Sequence, residues 1–176
     1  MQGALGSLLL RSLFRLEERE VQVIVTKNMP QIALDDREIG PLMEGQTVSL
    51  PVWQVAPFIK ANVVQCKHEE AINLAELYNY LWNEEQQPPL QPLPDDFYIR
   101  LKIFIESSSE GDRRKIIPVV KDLLLKRAEK IVKAALKAGH TKKVSENMLG
   151  EERILYQQLS KMISQWLATL HNFLNV

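Results

Sequence analysis

Hydrophobic and polar residues repeat with two different periods along this chain, and the change of period falls near residue 67. Between Glu20 and Thr26 the period is two: Val21, Val23 and Val25 share one side, which predicts a strand with a well-buried inner face. Asn28-Met29-Pro30 then turns the chain. Gln31 to Leu34 reads as a second short strand, closed by a turn at Asp35-Asp36-Arg37. Gly40-Pro41 and Glu44-Gly45 add further turn signals, and Gln46 to Leu50 alternates again, with Val48 and Leu50 on one side. Pro51 ends that ladder and suits the first turn of a short helix, where its missing N–H is no loss. On this helix Trp53, Val55, Phe58 and Ile59 form the expected inner face, with Trp53 and Phe58 as anchors, although Pro57 interrupts it. Val63-Val64 returns to strand character. Glu20 to Cys66 therefore reads as a small β-rich unit that buries too little to stand comfortably alone.

Past His68 the period becomes helical. Ile72, Leu74, Ala75, Leu77, Tyr78, Leu81 and Trp82 predict a broad apolar face extending to about Glu85. The segment 86–94 carries four prolines and is expected to run extended. Pro94-Asp95-Asp96 starts another helix, with Phe97, Leu101, Phe104 and Ile105 as its inner stripe, and 107–112 reads as a loop. Two long helices follow. The first is expected from about Arg113 to Ala138, stopped by Gly139, with Pro118 admissible only in its first turn. Its predicted stripe is Ile117, Val120, Leu124, Ala128, Ile131, Ala135 and Ala138. The second is expected from about Gly150 to Leu174. There Leu155, Leu159, Met162, Trp166, Leu170 and Phe173 form one row, widened by Ile163, Leu167 and Leu174. So wide a row exceeds what one neighbouring helix covers, which predicts subunit contact as well as internal packing. Were the Trp166 ring fully buried, its truncation to alanine would cost about 3–5 kcal/mol.

The fold class that results is α+β, mainly α: a leader helix plus a small β-rich domain over 1–66, then a larger helical bundle domain over 67–176. In the lead-in, Leu8, Leu9, Leu13 and Leu16 sit at helical spacing; with no basic leader, and with Arg11 and Arg15 interrupting it, the segment reads as an amphipathic helix, not a secretion signal. Composition adds little. A hydrophobic fraction of 45% and a charged fraction of 25% describe an ordinary globular chain. A formal net charge of zero implies no global attraction to nucleic acid or anionic lipid. The single cysteine, Cys66, excludes an intramolecular disulfide and fits a cytosolic or nuclear setting. No run is long and apolar enough to predict a membrane span.

Recognisable catalytic chemistry is missing from the sequence. It has no glycine-rich phosphate loop, and its three histidines, His68, His140 and His171, are isolated from one another. The carboxylate pairs Asp35-Asp36 and Asp95-Asp96 sit at turn or cap positions, where structural roles are the ordinary explanation. Trp53, Trp82 and Trp166 lie on apolar faces, which favours packing over base stacking. No catalytic, cofactor or metal residue is assigned. The exception to an ordinary surface is charge: between Arg113 and Lys143 stand eleven Lys/Arg against Asp122 and Glu129 alone. Lys126, Lys130, Lys133 and Lys137 recur in steps of four, three and four. The plain reading is the solvated face of an amphipathic helix; the alternative is a contact surface for DNA or an acidic partner, which would make this a stand-alone nucleic-acid-binding helical protein using residues 113–143. No aromatic residues interleave the stripe, which argues against single-strand binding.

Val23-Ile24-Val25, Gly40-Pro41, Gly45, Val48 and Leu50-Pro51-Val52-Trp53 resemble the small β-domain of GINS complex subunits, and Pro92 to Leu101 resembles the entry to that family's helical domain. The order, β-domain first, resembles one of the two GINS subunit types, and the short chain its archaeal form. The match covers roughly Leu16 to Ile105; the lead-in before Glu17 has no counterpart. The resemblance implies a non-enzymatic replication scaffold without a cofactor. Two copies would join two sister GINS subunits of permuted order in a 2:2 tetramer built through the helical domains. The tetramer would bridge the MCM helicase to a RecJ-like factor, with primase or DNA polymerase as further contacts, in the nucleoid-associated cytoplasm of an archaeon or the nucleus of a eukaryote. Leu155, Leu159, Met162, Trp166, Leu170 and Phe173 are the residues expected at the subunit interface.

Overall fold

The computed structural model describes residues 4–34, 37–67, 72–137 and 145–175. The Asp35-Asp36 pair, His68, Ala138, Gly139 and His140 lie outside them. The chain is α+β and mainly α, and it divides into two compact units.

One unit comprises residues 14–74 and 96–117. Its centre is β1 (Glu20–Val25), flanked by β4 (Thr47–Pro51) and β5 (Val64–Cys66), both antiparallel to it. The register sets Val23 opposite Val48 and Val25 opposite Val64, so the valine side of β1 faces a continuous apolar layer. Between β1 and β4, β2 (Ile32–Leu34) and β3 (Arg37–Ile39) form a separate antiparallel ribbon. The ribbon leaves through Gly40, whose φ of +92° suits glycine; a Cβ there would sit 3.2 Å from both the Leu42 nitrogen and the Pro30 oxygen.

Pro51 is at once the last residue of β4 and the cap of α2 (Val52–Lys60), with extended φ and ψ of −64° and 145°. That helix runs on through Pro57. Its buried side is Val52, Gln54, Val55 and Ala56, so Trp53 is not the anchor its apolar character suggested: the ring is 38% exposed, one position out of phase with the inward row. Phe58 and Ile59 pack at the margin of the core.

The core of this unit is Val23, Val25, Leu50, Val52, Val55 and Val64, completed by Ile99 and Ile103 of α4 (Phe97–Ser107). Helix α4 is buried on two sides. Phe97 and Leu101 are inside as the stripe predicts, but Ile99 and Ile103 on the opposite side are equally buried, while Phe104 and Ile105 are only half-buried. The β-rich module thus gains its missing apolar cover from a helix about 30 residues downstream of its last strand, a length read from the two ranges. Lys102 of α4 lies between Glu106 (2.9 Å) and Glu17 (3.0 Å), the latter the last residue of α1 (Ala4–Glu17). Hydrogen bonding to Glu106, reinforced by Glu17, holds its ammonium above the ordinary lysine range against the opposing effect of burial.

The other unit contains α3 (Leu74–Gln86) from Ala75 on, the extended stretch after it, α5 (Glu110–Leu136) from Pro118 on, and α6 (Gly150–Leu174). Helix α3 departs from expectation, since it buries only Leu77 and Glu84 while Tyr78 and Trp82 are exposed. Helix α5 starts at Glu110, not near Arg113, and passes through Pro118 in its interior. Its start is fixed by Ser109, whose hydroxyl accepts the Asp112 N–H (3.2 Å) while donating to the Asp112 carboxylate (2.7 Å). Two residues, Ser108 and Ser109, replace the expected loop. Ser109→Ala is expected to cost about 1 kcal/mol, seen as a lower urea midpoint at unchanged slope.

The buried face of α5 is Ile116, Val119, Val120, Leu123, Arg127, Ile131 and Ala135. This is the predicted stripe rotated by one position in its first half: Ile117 and Leu124 are exposed, and Ala128 is half-buried. Ile131 and Ala135 join Leu90, Met148 and Tyr156 in a core cluster, with Leu155, Leu159 and Ile163 of α6 packed on its margin.

Candidate functional site

Three charged side chains occupy inward positions on three helices. Glu84 stands two turns after Leu77 on α3, Arg127 one turn after Leu123 on α5, and Glu152 one turn before Tyr156 on α6. Arg127 is 1% exposed, Glu84 1% and Glu152 5%. The guanidinium grips Glu152 in a two-pronged contact, Nε to Oε1 at 2.6 Å and Nη2 to Oε2 at 2.8 Å. Nη1 donates to Glu84 Oε2 at 2.7 Å and to the Gln91 carbonyl at 2.8 Å, and Nη2 also reaches the Asn147 carbonyl at 3.1 Å. All five guanidinium N–H groups therefore have an acceptor, the condition under which a buried arginine is tolerable.

Lys130, one turn further along α5, closes the cluster. Its ammonium donates to the second Glu84 oxygen (2.7 Å) and to the carbonyls of Glu84, Gln87 (2.7 Å) and Pro89 (3.1 Å). Two carboxylates thus meet two cations. The backbone acceptors all belong to segments without regular structure or to a helix end. Prolines cannot donate, and an extended proline-rich stretch leaves its carbonyls unpaired. Arg127, Lys130 and Asn147, whose amide donates to the Leu90 carbonyl at 2.8 Å, satisfy those carbonyls and pin residues 87–91 to α5 and to the turn before α6. Glu152 also accepts the Leu149 N–H at 2.9 Å and so caps α6 from within. The cluster has the chemistry of a fastener: each carboxylate is engaged by cations and N–H donors, and the described residues contain no group of His, Cys, Asp and Glu able to hold a metal.

The residues expected from the sequence to be functional include Lys130, in an outward basic stripe, and not Arg127, Glu84 or Glu152. The available signal was a charged residue at core spacing on each of three apolar faces, of opposite sign. Lys130 is engaged in the cluster, which takes the second of the four lysines from the stripe; Lys126 is half-buried, and Lys133 and Lys137 are exposed.

The expected interface row on α6 divides in two. Leu155 and Leu159 pack on the core cluster. Beyond Ser160 no residue of α6 is buried, yet Met162 is 63% exposed, Trp166 62% and Phe173 79%, with Leu170 half-covered between them. Helix α5 carries a comparable open row in Leu124, Leu125, Val132 and Leu136. So much exposed apolar surface on two helices is unusual for a chain that works alone. No helix of the described residues is long and apolar enough to cross a membrane, so these rows are not explained as a membrane span.

A family model described as "Sld5: GINS complex protein helical bundle domain" matches residues 71–171, which takes in the cluster and most of both open rows. A search of curated proteins finds no match.

Proposed function

The chain belongs to the Sld5 family of GINS complex proteins, and on that premise we propose that it is a non-enzymatic scaffold whose open helical rows are covered by sister subunits. Family membership makes it a replication-complex subunit that assembles with other GINS proteins, in a structural and non-catalytic family. The strands precede the matched helical segment in the chain. A sister subunit of permuted order is accordingly the partner we propose, in a 2:2 tetramer. The helical unit would form its assembly region, and the β-rich unit, which includes α4, would remain free for other contacts. The observation that carries this reading is the apolar row Met162, Trp166, Leu170 and Phe173, left open where Leu155 and Leu159 are packed. Exposed apolar surface at that density fits the core of a permanent interface.

The assembled tetramer would hold the MCM helicase to a RecJ-like factor, with primase or DNA polymerase as further partners, at the nucleoid or in the nucleus. Its mechanism would be coupling. Binding free energy spent on one helicase arrangement raises the population of that arrangement, and the protein contributes no chemistry of its own. Lys126, Lys133 and Lys137 are proposed as a minor contact to DNA or an acidic partner, since Lys130 is engaged elsewhere.

Light scattering after size exclusion in high salt tests the assembly. Co-expressed with a permuted sister subunit, the complex is expected near four chains and undiminished by salt, because apolar burial dominates it. A monomer that ignores every sister subunit would refute the reading. DNA binding that falls steeply with salt, with no subunit assembly, would favour the basic stripe instead.

A further inference from the structure

We propose that the outward flank of α3, formed by Tyr78, Trp82 and Glu85, is a docking site for an arginine-bearing segment of another protein. The three residues follow one another at steps of four and three, so they share one side of the helix. Tyr78 is 52% exposed and Trp82 62%, and Glu85 is exposed one turn beyond them. None of the three has a hydrogen bond, an ion pair or a ring contact with a described residue. The helix beneath them is firmly held. Leu77 is fully buried, and Glu84, next to Glu85, is fixed by Arg127 and Lys130. Two rings and a carboxylate on so fixed a support need little ordering when a ligand arrives.

Charge decides what docks there. Helix α3 carries Glu76, Glu84 and Glu85 and no lysine or arginine. Two exposed rings in a replication protein would otherwise suit stacked bases, but single-strand binding needs cations to meet the phosphates, and the group that continues this row is a carboxylate. A cation suits both parts of the site. It is drawn to the negative faces of the rings, and a guanidinium also stacks flat on them while offering its N–H fork to a carboxylate. Tyr78 and Trp82 are about 6 Å apart along the helix axis, so two arginines one helical turn apart meet one ring each. The occupant is therefore a basic helical segment with arginines spaced by four. The open row of α6 calls for a different cover: from Met162 to Leu174 it contains no Asp, Glu, Lys or Arg, which suits an uncharged apolar partner. The α3 site stands apart from the subunit rows and does not depend on which chain covers them.

The test uses the full chain, alone and co-assembled with a sister subunit, and a synthetic alanine-based helical peptide carrying two arginines four residues apart. The same peptide with glutamines in their place and a single-stranded oligothymidylate are the comparison probes. Calorimetry measures binding, and the Trp82 indole N–H resonance, identified by its loss in Trp82→Phe, reports where it occurs. The arginine peptide is expected to bind and shift that resonance in both states of the chain, and neither comparison probe to do so. Trp82→Ala and Glu85→Gln should each weaken the arginine peptide roughly two- to five-fold, and added salt should weaken it further. The glutamine peptide leaves the chain itself untouched, so an unstable variant would not hide the answer. Equal binding of the glutamine peptide, a Trp82 shift with the oligothymidylate, full affinity in Trp82→Ala, or a Trp82 ring covered by the sister subunit would each overturn the inference.

Discussion

Replacing Arg127 with methionine is expected to destabilise the chain by about 3–5 kcal/mol, the range observed when one partner of a buried ion pair is removed. The reason is what remains. Glu152 would lose both of its guanidinium contacts, and Glu84 would lose one of its two cations, while the Gln91 and Asn147 carbonyls would lose a donor. Methionine fills much of the arginine volume, so the loss reads as electrostatics and not as a cavity. For a chain of this size the loss corresponds to roughly 6–20 °C in the thermal midpoint, at 2–4 °C per kcal/mol. Arg127→Lys should recover only part, because an ammonium cannot make the two-pronged contact to Glu152. Removing the stranded charges as well, with Glu84→Gln and Glu152→Gln added to Arg127→Met, should restore more stability than any single change suggests. Urea unfolding followed by circular dichroism measures all three. A loss under about 1 kcal/mol for Arg127→Met would place the cluster in water and not in the interior.

The β-rich module was legible because its signal is local. A period-two alternation with glycine and proline turns leaves few alternatives, and Pro51 marks the passage from β4 to α2 in the chain itself. The phase of α5 was not legible. Apolar residues come in adjacent pairs at Ile116-Ile117 and Val119-Val120 and in a triplet at Leu123-Leu124-Leu125, so two rows fit the same helix and only packing decides which is inside. Both rows exist: one is buried and the other is open. Arg127 was passed over because charged residues seldom reach the interior, and the partners that permit it lie 43 and 25 residues away. The early start of α5 had a visible signal in Ser109 and Asp112, which the position of Pro118 outweighed. The same ambiguity governs the tryptophans. A row awaiting a partner chain and a row packed within its own chain have one sequence pattern, and Trp82 and Trp166 belong to exposed surface.

That exposure sets the expected effect of Trp166→Ala. Full burial would have made it a folding mutant; at 62% exposure the folded chain should lose no more than about 0.5 kcal/mol, as surface changes do. The effect moves to assembly. Aromatic side chains near the centre of a subunit interface typically cost about 2–4 kcal/mol when truncated, a loss of roughly 30- to 700-fold in affinity. Met162→Ala should follow in the same direction with a smaller loss, and Leu155→Ala should do the opposite, weakening the fold because Leu155 packs on the core cluster. The beginning of α6 is held by its own chain, while the stretch from Lys161 onward has no buried residue of its own, and a helical segment so short is marginal in water without a partner. Assembly should therefore also raise the amide protection of residues 161–174 while leaving that of 150–160 nearly unchanged. Dilution of the complex with light-scattering readout, beside urea unfolding of the single chain, separates the two effects. Trp166→Ala chains that unfold easily yet assemble with full affinity would contradict the assignment of this row to subunit contact.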